Sequence, residues 1–258
     1  GLIASALVLF GTAPAAAAPD STLFIGGSGG VYFLAEPGEL VVEIEKRDLH
    51  LRAARTELRA VLAAPDRRVV QEAIIPGDGK PRGSGSGPVL GCRLSTRVER
   101  KGVYALIITV SGDPYGAHAL WGFRTNCPKY LIETARAHRD ARHEEPIALA
   151  SPGRAGDVCF LPRSEAFQLE VSGTKKDAAP PQMFDAKDVL IATLDQPSHE
   201  FPAKVHRDAV PWRLHFPAAL GTLQADGLTR WDARDLQPDL ALWTPEAKSW
   251  FPFPENRW

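Results

Sequence analysis

Val31-Tyr32-Phe33-Leu34 and, shortly after it, Leu40-Val41-Val42-Glu43-Ile44 decide how this chain is read. In the second stretch Leu40, Val42 and Ile44 alternate with Val41 and Glu43, the two-residue period of a strand with one buried face. Both stretches return later in the chain at one common offset. Val158-Cys159-Phe160-Leu161 answers the first, and Phe167-Gln168-Leu169-Glu170-Val171 answers the second. A turn leading into a strand follows in each copy: Pro65-Asp66-Arg67-Arg68-Val69-Val70, then Asp185-Ala186-Lys187-Asp188-Val189-Leu190. Each copy closes on an aromatic strand, Val103-Tyr104-Ala105-Leu106-Ile107 and Pro211-Trp212-Arg213-Leu214-His215. Matches in the same order, at a spacing longer than any solenoid repeat, predict two related domains.

The surrounding sequence supports strands throughout. Ala105 to Val110 is a short run rich in β-branched residues, bounded by Gly102 and by the turn signal Ser111-Gly112-Asp113-Pro114. The chain's 22 glycines and 22 prolines cut it into short segments, as sandwich folds require. The expected class is therefore all-β: two tandem, jelly-roll-like β-sandwich domains related by internal duplication. The first covers residues 19–149. The second covers 150–258, after the turn-rich linker Ser151 to Gly156, and carries an aromatic C-terminal extension. Leu49 to Leu62 has a helical composition, but the repeat places strands around a loop there. Lys129 to Glu145 reads as a strand running into the connection, and Gly77 to Pro88 as a mobile loop rich in glycine, serine and proline.

Residues 1–18 read as the remnant of a signal peptide. Leu2 to Phe10 is apolar and is followed by the small residues Ala15 to Ala18, an Ala-x-Ala cleavage pattern. The apolar run is too short for a membrane span. A secreted or periplasmic location is expected. With 30 basic and 31 acidic side chains and no basic stripe, nucleic-acid binding is not expected. Three cysteines suit an oxidising compartment without forming a dense disulfide framework. Cys92 and Cys127, both in the first domain, are the candidate pair; three buried thiols are the alternative.

Tyr32-Phe33-Leu34, the Pro65 to Val70 turn and strand, and Gly102-Val103-Tyr104-Ala105-Leu106 resemble, in order and kind, the pre-peptidase C-terminal-type modules. Those are jelly-roll β-sandwich domains attached to exported bacterial hydrolases. The resemblance spans roughly 100 residues of the first copy and less of the second. It implies an accessory module that binds a polymer, a surface or a partner domain. The clustered acids through which some such modules bind calcium near the first strand have no counterpart here.

Few residues suggest chemistry. Gly26-Gly27-Ser28-Gly29-Gly30 matches the G-x-S-x-G nucleophile elbow in letters only, because a strand rather than a helix follows it. His138, Asp140 and His143 form the densest set of metal-ligand types, beside Glu144 and Glu145. Their spacing misses that of a zincin, and the surrounding arginines suit an ion-paired face. No metal site and no cofactor are expected. Trp121-Gly122-Phe123-Arg124-Thr125-Asn126-Cys127 puts Trp121 and Phe123 on one strand face, with Arg124 and Asn126 on the other. A tryptophan near arginine and asparagine suits sugar or peptide recognition; a core tryptophan is the competing reading. The aromatic C-terminus, from Trp243 to Trp258, would seal the two domains, dock a further domain or offer a ligand platform.

The sequence therefore predicts an exported, non-catalytic binding or scaffolding protein for an extracellular polysaccharide or a protein surface. Its candidate ligand-binding residues are Trp121, Arg124, Asn126, His138 and Asp140, and a further downstream domain is a possible partner. The alternative is a secreted hydrolase or lyase whose site between the sandwiches uses His138, Asp140 or His143, or an accessory part of a longer enzyme.

Overall fold

The computed structural model describes residues 24–51, 56–112, 118–134, 147–150, 155–162, 166–173, 177–202, 210–218, 222–226 and 242–253. Strand follows strand along the whole of this length. The first nine are β1 (Phe24–Gly26), β2 (Gly29–Ala35), β3 (Gly38–Asp48), β4 (Leu58–Ala63), β5 (Val69–Ile75), β6 (Val89–Val98), β7 (Gly102–Val110), β8 (Ala119–Thr125) and β9 (Tyr130–Thr134). The second nine are β10 (Ile147–Ala150), β11 (Gly156–Phe160), β12 (Phe167–Ser172), β13 (Gln182–Phe184), β14 (Leu190–Thr193), β15 (Ser198–Phe201), β16 (Trp212–Phe216), β17 (Thr222–Asp226) and β18 (Leu242–Thr244). A single 3₁₀ turn, Ala247–Ser249, follows β18. Among the described residues no helix is long and apolar enough to cross a membrane.

The strands form two antiparallel sheets, each running the full width of the molecule. One has eight strands in the order β15-β12-β17-β10-β1-β8-β3-β6; the other has ten, β14-β13-β16-β11-β18-β9-β2-β7-β4-β5. Their inner faces meet in one continuous core that draws Val42, Ile44, Leu94 and Trp121 from the first sheet and Phe33, Leu62, Leu106 and Trp243 from the second. The alternation read from sequence holds on β3, where Leu40, Val42 and Ile44 are buried. On β2 and β7 both faces are covered. Val31 and Phe33 point into the main core, while Tyr32, Val103 and Ala105 form a second cluster on the outer face.

Within β1–β8, the rows β1-β8-β3-β6 and β2-β7-β4-β5 give the strand order of a jelly roll, with β9 added beside β2. The rows β10-β17-β12-β15 and β11-β16-β13-β14, with β18 beside β11, repeat that order. Read from either outer edge, each sheet therefore has the same sequence of connections. The halves meet at β1–β10 in one sheet and β9–β18 in the other, so both sheets continue past the expected boundary near residue 150. The likeness extends to the turns. Ala64 N–H donates to Arg68 O and Arg67 N–H to Ala64 O; Asp185 N–H donates to Val189 O and Asp188 N–H to Asp185 O. Arg67 and Asp188 both have positive φ, at 69° and 60°. In both hairpins the register then slips at the same place, beside Ala63–Val69 and beside Phe184–Leu190.

The second half of the stretch whose composition suggests a helix is β4. The Pro-broken C-terminal segment lies along the outer face of the ten-stranded sheet, with Phe251 buried against Tyr32 and Leu131. Lys129 fastens it there, donating from Nζ to Lys248 O at 2.6 Å and Trp250 O at 3.2 Å.

Candidate functional site

β3 does not stop being buried where its apolar residues end. The inward positions Leu40, Val42 and Ile44 continue as Lys46, Asp48 and then His50, all at most 8% exposed. Alternation thus carries three ionisable side chains in line with the core face, and burial is tolerable only if their charges and polar atoms are matched. The match comes from the glycine-rich segment after β5. Lys46 Nζ donates to Pro76 O at 2.7 Å and lies 3.1 Å from Asp48 Oδ1. Asp48 Oδ2 accepts the N–H of Asp78 at 3.0 Å, and Asp48 O accepts that of Gly87 at 2.7 Å. His50 O accepts from Gly83 N at 2.8 Å, and the ring bridges Gly85 O on Nδ1 and Asp78 Oδ1 on Nε2, the latter at 2.7 Å.

Glycine is needed in this segment for specific reasons. A Cβ on Gly87 would stand 2.4 Å from Asp78 Oδ2 and 3.1 Å from the His50 ring. Gly85, whose carbonyl meets that ring, has φ of 73°, which an ordinary side chain resists. The segment expected to be a mobile loop is therefore tied to the end of β3 at several points.

Both acceptors facing His50 lack a proton to offer. Gly85 O is a carbonyl, and Asp78 Oδ1 already accepts from Lys80 N–H at 3.0 Å. A ring protonated on both nitrogens would donate to both acceptors at once. The hydrogen bonds to Gly85 and Asp78 accordingly hold its pKa above the ordinary histidine value, against the effect of burial. Burial alone would raise the Asp78 carboxyl. The bond from His50, the Lys80 N–H and the two nearby cations outweigh it and keep that group low. Lys46, Asp48, His50 and Asp78 thus make a charge-balanced set. Asp48, His50 and Asp78 offer ligand atoms all within 4.8 Å of one another, as a metal centre would. Both imidazole nitrogens are engaged and the Lys46 ammonium lies against Asp48, an internal ion network in which Asp48 Oδ1 and Asp78 Oδ2 accept no hydrogen bond from the described residues.

A second feature lies at the far end of β6. Between the Ala64–Arg68 turn and the Thr96–Lys101 segment is a cavity of about 480 Å³, the size range of small-ligand sites. Arg68, Arg97, Arg100 and Lys101 line it, against the acids Asp66 and Glu99, with Tyr104 at the side of the core. Lys101 pairs with Glu36 at 2.6 Å. A Cβ on Gly102 would come within 2.6 Å of Pro65 Cγ, so the two turns that frame the cavity are in contact.

The residues singled out from sequence lie apart. Trp121 is wholly buried, and its indole N–H donates to Gly27 O at 2.8 Å. No ring face remains for a ligand, because the strand's inward face belongs to the core. Arg124, on the opposite face of the same strand, pairs with Glu45 of β3 at 2.9 Å. Asn126 closes the end of the β3–β8 ladder: Oδ1 accepts from Val41 N at 2.9 Å, and Nδ2 donates to Glu39 O at 2.6 Å. His138, Asp140 and His143 lie outside the described residues. Ser28 of the glycine-rich match sits between two strands, in the step by which β1 and β2 change sheet.

All three cysteines are thiols, which corrects the candidate Cys92–Cys127 pair. Cys92 pairs across β3 with Ile44, which pairs in turn with Phe123 of β8. Two strand spacings, roughly 10 Å, separate Cys92 from Phe123. Cys127 lies farther along the chain, and a disulfide needs Cα atoms within about 7 Å. In the second half Asp157 Oδ1 contacts His215 Nδ1 at 2.7 Å and also faces Arg213. Cys159, two residues along β11, is buried, and desolvation with the Asp157 charge pushes its thiol up to about 12. Such a thiol is a poor nucleophile.

A scan against protein-family models finds no match, and a search of curated proteins finds none. Among solved structures, tripeptidyl peptidase 2 (TPP II) is matched at 12% identity over 90% of this chain, with a TM-score of 0.24. This chain spans 26% of that one. A likeness of this degree carries no argument about fold or function.

Proposed function

We propose that this chain is an exported, non-catalytic binding unit that recognises an extracellular polysaccharide carrying acidic groups. The observation that carries the reading is the cavity between the β4–β5 and β6–β7 turns, lined by four cationic side chains and two acids. Arg68 pairs with Asp66 and Lys101 with Glu36, and Arg97 and Arg100 face Glu99 as the remaining lining acid. A cleft with one dominant sign of charge concentrates oppositely charged ligands, and arginine suits carboxylate and sulfate groups. The jelly-roll strand order, the resemblance to pre-peptidase C-terminal-type modules and the small-residue leader support an exported accessory role. The matched hairpins and repeated strand order support an origin by internal duplication.

The test is a binding screen against neutral, uronic-acid and sulfated polysaccharides, with the Arg97→Glu/Arg100→Glu variant alongside. Binding confined to acidic polymers, weakened at least tenfold by the variant and by added salt, is expected. Acidic polymers that do not bind, or that bind the variant equally well, would overturn the reading and favour docking to a protein surface or a further domain.

A further inference from the structure

The ion network at the end of β3 joins two parts of the chain, and two of the bonds between them are made by the His50 ring. His50 lies on the β3 side, and Gly83, Gly85, Gly87 and Asp78 lie on the loop side. A neutral imidazole donates from one nitrogen only, so loss of a proton takes the ring's N–H away from either Gly85 O or Asp78 Oδ1. It also removes one of the two cations acting on Asp78, the other being Lys80. We infer that His50 is a proton-operated latch, which clamps the segment Pro76–Pro88 to the end of β3 when the ring is protonated and releases it when the ring is neutral.

Among the described residues, the groups that act on the ring are Asp78 and Gly85 O from the loop and Asp48 from β3; Lys46 lies against Asp48, and the Lys80 N–H bonds Asp78. The direction of the switch follows from the raised value of His50. Its contribution is complete below the ordinary histidine value of about 6.5 and disappears as pH climbs through the folded-state value. Asp78, held low, keeps its half of the bond until the solution is more acidic than carboxylates ordinarily tolerate. The latch is thus closed in mildly acidic solution and opens on the alkaline side. It lies some 30 Å from the basic cavity, the length of β6, so it stands apart from the binding reading.

The test uses the full chain, labelled with ¹⁵N. Histidine ring spectra between pH 5 and 9 report the protons on His50, and amide exchange, corrected for its intrinsic pH dependence, reports Gly83 and Gly87. Expected are two ring N–H protons on His50 at neutral pH, titration above 6.5, and at least tenfold loss of Gly83 and Gly87 protection over the same range. Protection at Val42 and Leu106 should not follow. Asp78→Asn keeps an acceptor oxygen but removes the charge, and should move ring titration and loop opening together to lower pH. His50→Gln should leave the loop poorly protected at every pH; if it does not fold, Asp78→Asn still decides. A singly protonated ring at neutral pH, or protection independent of pH, would overturn the latch. So would equimolar zinc binding His50 and restoring protection at pH 8, which would make this a metal centre.

Discussion

Tyr32 donates its phenolic proton to Glu133 Oε2 at 2.7 Å, and both residues are almost wholly buried although they lie on the outer face of the ten-stranded sheet. The cover is the C-terminal segment, whose Phe253 ring stands 4.6 Å from that of Tyr32. A stretch with no regular strand thereby turns a sheet surface into a second interior, in which Glu133 depends on a donor from the neighbouring strand. Tyr32→Phe keeps the ring and removes that donor. It should cost about 1–3 kcal/mol, read as a lower urea midpoint with unchanged slope.

Lys46 is the more demanding case, because it is fully buried and paired with a carboxylate that is itself buried. Lys46→Met leaves the Asp48 charge without compensation and should cost about 3–5 kcal/mol. Lys46→Met with Asp48→Asn should recover a substantial part of that loss. Equal destabilisation in the single and double variants, measured by urea unfolding, would mean that the pair does not interact as described.

Trp121→Ala should behave as a core truncation. Loss of a buried indole and its bond to Gly27 should cost about 3–5 kcal/mol, seen as a lower melting temperature. Trp121→Phe should cost less. Wherever Trp121→Phe remains folded, polysaccharide affinity should equal that of the parent chain, since the ring has no exposed face.

The cysteines give a chemical check. Cys92 and Cys159, pushed up to about 11 and 12 by burial, should alkylate slowly in the native protein at pH 8. Cys127, raised in the same direction, should react slowly too. In denaturant all three should react at once without prior reductant, each adding one label by mass spectrometry. A requirement for reductant would show a bridge.

Much of the architecture was legible because its signals are local. Leu40, Val42 and Ile44 announce a half-buried strand, and the recurring turns at Asp66 and Asp185 mark hairpins that share hydrogen bonds and a bulge. Less was legible where partners are distant. The same alternation places Lys46, Asp48 and His50 on the buried face, but charged residues read as the end of a strand unless the matching groups are known. Those groups, Pro76 O, Asp78 and Gly85 O, come from a loop whose composition suggests mobility. For Trp121 the sequence offered both a core and a recognition role. Its acceptor, the carbonyl of Gly27, is far away in sequence and left no mark near the tryptophan. The basic cavity was missed because its arginines come from two separate turns, each unremarkable alone.

The joining of β1 to β10 and β9 to β18 has a consequence for how safely this protein can exist at high concentration. A sheet rim exposes unpaired N–H and C=O groups that can template pairing with another chain. Two separate jelly rolls would present eight such rims, whereas fusing them rim to rim through both sheets leaves four. Each half thus acts as the other's guard against fibrous self-association, and a half expressed alone would carry that hazard on its bared β1 and β9, or β10 and β18.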